Sequence, residues 1–440
     1  MVDCCGGTLR TVIRSGHRSS IWPLAAVCAA LVASSRARAQ EEVCAGCHGD
    51  RATAASLASD SAAGARLYVD PTVFQNSVHG QMGFTCTMCH PSISDYPHAR
   101  VTPVDCGGCH SAANDELKAS VHGRVHPTAG TIPATCADCH GSHDIRRHAD
   151  PQSTVYRLTQ FRACANCHSD REKMARFGQG DVAAVPTYLE SVHGRALIQK
   201  GLSVAPVCTD CHGQRGTGAH EIQIVASPAS PMNRSHVTET CGRCHEGIVT
   251  AYNRGIHGQR FAQGNADVPM CVDCHTEHAV QPITSPGSSV YPSHIPGTCL
   301  ACHEREDLNA RYGLPSARRQ TYLGSFHGIA LVSGQLTAAN CESCHGAHDI
   351  RPPSDSTSSI APANLVTTCG RCHPGIGARV TEGKIHVASV REDINLFAFG
   401  VQWFYYLLIA GIILFAASMI ALDQYRHRVV DARRRGRGHA

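Results

Sequence analysis

The pentapeptide Cys-x-x-Cys-His occurs eleven times in this 440-residue chain, and nothing else in the sequence constrains the fold as strongly. The copies, each given as its two cysteines and histidine, are Cys44/Cys47/His48, Cys86/Cys89/His90, Cys106/Cys109/His110 and Cys136/Cys139/His140. Cys164/Cys167/His168, Cys208/Cys211/His212, Cys241/Cys244/His245 and Cys271/Cys274/His275 follow, then Cys299/Cys302/His303, Cys341/Cys344/His345 and Cys369/Cys372/His373. They absorb 22 of the 25 cysteines and leave Cys4, Cys5 and Cys28 near the N-terminus. Disulfide scaffolds are short chains that do not match cysteine with histidine. A zinc ribbon pairs two C-x-x-C knuckles but does not need histidine after each, and a redox C-x-x-C does not recur with a fixed following histidine. C-x-x-C-H is the c-type haem attachment sequence. Two thiols about one helical turn apart reach the two vinyl groups of one porphyrin, and the adjacent histidine becomes the proximal iron ligand. The reading is eleven covalently attached haem c groups.

Eighteen further histidines lie outside these motifs, and eleven of them recur in context. One series is Ser77-Val78-His79-Gly80, with His122, His193, His257 and His327 in matching S/G-x-H-G settings, and then Lys384-Ile385-His386. A second series follows alternate motifs: His98, His143, His220, His278 and His348, with Cys-His-Gly-Ser-His-Asp (139–144) and Cys-His-Gly-Ala-His-Asp (344–349) as its most compact copies. Six plus five gives one candidate distal ligand per haem, so bis-histidine ligation is expected throughout. Asp144, Glu221 and Asp349 directly follow second-series histidines and are candidates to orient an imidazole through Nδ1. His126, His148, His236 and His294 lack recurrent context and are not assigned as ligands, and no methionine recurs in register.

The motifs repeat as a block. Cys106 to Cys241, His122 to His257, Cys136 to Cys271 and Cys164 to Cys299 are each a shift of 135 residues, and CANCHSDREKMARFG (164–178) parallels CLACHEREDLNARYG (299–313). The chain therefore reads as a four-haem unit used three times, over 40–163, 164–298 and 299–396, with three haems in the last. Aromatic residues make up only 5% of the chain, and neither Trp22 nor Trp403 lies within these units. About 35 residues per motif cannot build an ordinary core, so porphyrin supplies the apolar interior. The expected fold class is short α-helices and coil wrapped around a haem array, plus one C-terminal transmembrane helix.

Both ends carry topology signals. Arg10, Arg14 and Arg18 precede the apolar stretch 21–33 and the A-x-A site Ala37-Arg38-Ala39, which predicts a signal peptide over 1–39. Phe397 to Leu422 is uncharged and long enough to span a bilayer. Arg426, Arg428, Arg433, Arg434, Arg435 and Arg437 follow it, so the tail 423–440 is expected in the cytoplasm and the haem units outside. The formal net charge of +4 belongs to these ends and carries no implication of nucleic-acid binding.

On the eleven motifs and the recurring histidines over 44–386, the chain resembles the multihaem c-type cytochromes with doubled C-x-x-C-H motifs, the class III and NapC/NirT-like group. The resemblance implies stacked bis-histidine haems that pass single electrons. Membrane-anchored quinol dehydrogenases of that group usually carry their span at the N-terminus, whereas here it is C-terminal. The expected role is electron transport between the inner membrane, through quinol or a membrane-bound cytochrome, and periplasmic redox proteins. The alternative is a terminal reductase of a small nitrogen or sulfur oxyanion, which would need an iron with an open position.

Overall fold

The computed structural model describes residues 43–58, 60–98, 101–215, 218–380, 385–386 and 396–437. Residues 1–39, expected above to be a signal peptide, and Lys384 lie outside that set. Apart from the C-terminal helix, the named α-helices run only four to nine residues, for example Val78–Gln81 and Ser111–Ala119. Helices this short are not stable alone and depend on tertiary contacts. Many start at an N-cap side chain: Asp50, Asp60, Asp70 and Asp170 each accept backbone N–H bonds from the first turn. The one sheet among the described residues is an antiparallel pair, Gly213–Gln214 with Gly218–Ile222. Short helices and coil with almost no sheet is the fold class expected from the sequence.

The chain divides into two compact units, one ending at Pro231 and one beginning at Met232. The first holds the motifs from Cys44 to Cys208, and the second holds those from Cys241 to Cys369. The boundary falls inside the second sequence repeat. Among the described residues only fifteen apolar side chains are buried, and the one sizeable cluster is Leu197, Ala205 and Val207 with Leu158, Tyr188 and Ala196 around it. So thin a protein core leaves the burial that stabilises the fold to something other than side chains.

The C-terminal helix Leu396–Arg437 is 42 residues long, and its apolar part has a mean hydropathy of 2.3 with none of its residues buried. It is long and apolar enough to cross a membrane. It continues beyond Leu422 through the basic tail, where alanine and arginine favour helix and no proline stops it.

Candidate metal centres

The motifs adopt several local forms: Cys106–Gly108 is a 3-10 turn, and the helices Val237–Gly242 and Leu365–Gly370 end inside their motifs. Cys86–Cys89, Cys136–His140, Cys208–His212, Cys271–His275 and Cys341–His345 are isolated single-turn helices. The helices Gln160–His168 and Ile295–His303 instead run into their motifs and end on the motif histidine. The isolated turns are closed from behind. Asp138, Asp210 and Asp273 accept the backbone N–H of Thr135, Val207 and Met270 at 2.7, 2.7 and 2.6 Å. Arg157 clamps Asp210 at 2.7 Å and the Ala205 carbonyl at 3.0 Å, and Arg234 holds Asp273 at 2.9 Å. The third residue of these motifs is thus fixed by capping chemistry that takes up neither thiol.

The S-x-H-G setting has a backbone explanation. Ser77, Ser191 and Ser325 cap the helix that carries the histidine, each accepting the glycine N–H three residues on at 3.1 Å. The glycine then passes against the preceding turn. A Cβ on Gly80, Gly123, Gly194, Gly258 or Gly328 would collide with the carbonyl of Phe74, Leu117, Tyr188, Tyr252 or Tyr322. Three of those residues also reach forward: the hydroxyls of Tyr188, Tyr252 and Tyr322 donate to the carbonyls of Pro206, Pro269 and Ala339 at 2.7, 2.9 and 3.0 Å. The carbonyls lie two residues before the motif cysteines Cys208, Cys271 and Cys341, so each histidine helix is tied to a neighbouring motif.

Among the described residues, nine ring pairs each join one motif histidine to one histidine outside the motifs. His48 meets His98 (centroids 5.9 Å apart), His110 meets His79 (6.0 Å), His90 meets His143 (6.3 Å), His168 meets His122 (6.1 Å) and His140 meets His220 (6.0 Å). In the second unit His303 meets His257 (6.3 Å), His275 meets His348 (6.0 Å), His373 meets His327 (5.8 Å) and His345 meets His386 (6.2 Å). An iron held by two imidazoles at ~2 Å per bond keeps the ring centroids about 6 Å apart. The donor sets are therefore two-histidine sets of the right span, and no cluster of three or more His, Cys, Asp or Glu suited to a metal ion occurs among the described residues. His193, His212, His245 and His278 also have interaction partners. His126 packs on Phe177, His294 on Tyr291, and His236 faces Glu239, none of them a motif histidine.

One backbone hydrogen bond recurs beside these pairs. The residue before a first-series histidine donates its N–H to the residue two beyond a second-series histidine: Val78 to Ile145 at 2.9 Å, Val121 to Ile222 at 2.8 Å and Ile256 to Ile350 at 2.7 Å. It locks the two series together. Orientation through Nδ1 comes from groups the sequence did not single out. His48 bonds the Leu67 carbonyl at 2.7 Å, His220 bonds Glu116 at 3.2 Å and His386 bonds Thr321 at 3.2 Å. Glu221, the expected orienter of His220, instead accepts from Gln223, and Asp349 is held by Arg351 and Arg254. Glu116 lies 104 residues from His220, a separation no local pattern announces.

The cysteines record the order of the motifs. None of the 22 described cysteines forms a disulfide. The Cys106 thiol lies close enough to that of Cys136 to interact with it, and likewise Cys164 with Cys208, Cys241 with Cys271 and Cys299 with Cys341. Between those couples, Cys89 and Cys106, Cys139 and Cys167, Cys274 and Cys302, and Cys344 and Cys369 are within electrostatic reach. Within each unit, motifs adjacent in sequence are therefore adjacent in space. Burial holds His122 below the usual imidazole range and lowers His257 and His345 to about 4, which keeps these rings in the neutral form that a metal ligand requires.

In five of the eleven motifs the two thiols differ in exposure, although the sequence assigns both the same attachment role. Cys47, Cys109, Cys139, Cys244 and Cys372 are exposed, and each is the second cysteine of its motif. Every first cysteine is partly covered by protein. Cys211 is a second cysteine that is also partly covered, and it lies within electrostatic reach of Tyr188. Cys372 has Cys344 within similar reach. Side-chain packing by itself leaves the thiols of Cys47, Cys109, Cys139, Cys244 and Cys372 exposed. The reason lies in the turn. The first cysteine opens it facing a neighbouring motif, as in the Cys164–Cys208 and Cys299–Cys341 couples, and the second stands about one turn further on.

Short helices, two-histidine sets and serially placed C-x-x-C turns fit a site for several haem groups. A family model described as cytochrome c3 matches residues 78–169, about a fifth of the chain, and covers the four motifs from Cys86 to Cys164. Over that stretch the chain is similar to multihaem proteins that bind haem c covalently and transfer electrons. No curated protein and no solved structure matches the chain.

Proposed function

We propose that this chain is an eleven-haem c-type cytochrome, anchored by one span in the bacterial inner membrane, that carries electrons between the membrane and periplasmic redox proteins. The observation that carries the reading is the set of nine one-to-one ring pairs at 5.8 to 6.3 Å. Once attached, haem c supplies reversible one-electron chemistry at iron. The chain's residues do the rest. The 22 motif cysteines would tether the groups and each motif histidine would ligate together with one recurring histidine, with His193, His212, His245 and His278 completing the eleven sets. Two imidazoles per iron leave no open position for a substrate, which favours transfer over catalysis. The serial adjacency of motifs within each unit favours a linear path.

Export rests on the cleavage signal at Ala37–Ala39, and orientation on the six arginines after the span. His386 precedes the span by ten residues, so exchange with quinol or a membrane-bound cytochrome belongs at the His345/His386 and His373/His327 end. The His48/His98 end then serves a periplasmic partner. Mass measurement of the purified chain is expected to give eleven haems, and a lower count overturns the attachment scheme. A high-spin haem signal in electron paramagnetic resonance would overturn full bis-histidine ligation. His373→Met is expected to slow reduction by membranes, and an unchanged rate reverses the assigned direction.

A further inference from the structure

The last S-x-H-G helix differs from the others on its outer face. In Phe326–Val332 the residues Phe326, Ile329 and Val332 are 92%, 53% and 74% exposed, while Leu331 and Gly328 are buried. At 100° per residue Ile329 lies about 160° around the helix from His327, and the three apolar residues form one arc turned away from the ring that pairs with His373. The arc therefore does not face that helix's own metal centre. The position of Ile329 is occupied in the other copies by Gln81, Arg124, Arg195 and Gln259, polar residues suited to water. Among the helical copies, only Phe326–Val332 makes this face continuously apolar.

That copy is also tethered close to the span. Thr321, on the preceding helix Arg318–Leu323, bonds His386 at 3.2 Å, and only nine residues separate His386 from Leu396. Ten peptide steps reach at most about 35 Å.

We propose that the Phe326–Val332 helix is a second membrane contact, its outer face seated at the headgroup–acyl boundary of the bilayer that the C-terminal helix crosses. A short amphipathic face binds there by burying apolar area, and a tether to a spanning helix raises its effective concentration at the surface. The proposal rests on the anchor reading. It implies that the His327/His373 pair is held at the membrane surface by two contacts.

The test uses the full chain in nanodiscs of phosphatidylethanolamine and phosphatidylglycerol that contain a phospholipid with a carbene-generating acyl chain. After photolysis and peptide mapping, label is expected in 326–332 as well as in 397–422, with none in the corresponding helix Val192–Ile198. Label confined to 397–422 overturns the proposal. Ile329→Gln with Val332→Gln should lower label in 326–332 by about tenfold while the span label and haem absorbance hold. Undiminished label in that variant overturns it as well. Absence of label from both segments overturns the anchor reading, and the proposal with it.

Discussion

Two stretches related by the 135-residue repeat reach the same geometry by different routes. In the first unit, His140 is met by His220, which stands on the hairpin strand Gly218–Ile222. In the second, the equivalent His275 is met by His348 from a compact turn only three residues after His345. Both ring pairs are 6.0 Å apart, with interplanar angles of 35° and 14°. The backbone at the turn explains the divergence. Gly346 has φ +76, a left-handed conformation that folds the chain straight back, whereas Gly213 has φ −79 and runs on into the hairpin. What stays constant is the hydrogen bond next door, Val121 to Ile222 in one stretch and Ile256 to Ile350 in the other. The fold conserves where a ring arrives and lets the connecting loop vary.

That comparison can be broken at several points. The largest effect is expected from Gly258→Ala or Gly123→Ala, whose Cβ meets a backbone carbonyl. Thermal unfolding of the loaded protein should show a loss of about 3 kcal/mol or more in either stretch. A loss in only one would mean that the turn at Gly123 and the helix at Gly258 are not equivalent. His220→Met and His348→Met come next. Each should convert one low-spin bis-histidine signal to another form, and the two changes should be of equal size if loop type is irrelevant. Smaller again are Val121→Pro, at the start of a turn, and Ile256→Pro, at the first residue of a helix, which delete the N–H that anchors the second-series loop. A cost of about 1 kcal/mol is expected for each by denaturant titration, with the His122/His168 and His257/His303 pairs undisturbed. The smallest effect concerns Thr276, which occupies the left-handed position after His275 at φ +64. Thr276→Gly should stabilise the second unit by roughly 1 kcal/mol or less, and destabilisation would show that its side chain is needed there.

Much of the candidate site was legible because attachment chemistry is local. The C-x-x-C-H pattern lies within five residues, and the S-x-H-G pattern encodes a cap and a close backbone approach within six. The non-motif histidines were legible through repetition. His98 and His220, whose loops depart from the compact form, meet motif histidines as closely as the others do. Glu116 and Thr321 were not legible as orienting groups, since each reaches its ring from a distant segment. Asp349 follows a candidate ligand yet bonds arginines instead. Nor could identical pentapeptides announce that Cys47 and Cys109 are exposed while Cys211 is partly covered, because the covering residues come from other segments.

By itself the sequence determined the number of motifs, the supply of one recurring histidine for each, the short-helix class and the long apolar segment near the C-terminus. These are properties of composition, spacing and periodicity, and they survive any arrangement of loops. Only the tertiary structure decided which histidine meets which. His168 takes its partner from upstream and His140 takes one from downstream, eighty residues away. The physical reason is that a ring pair about 6 Å across is a meeting of two backbones, fixed by the caps, clamps and inter-segment hydrogen bonds around it. No single segment contains that information.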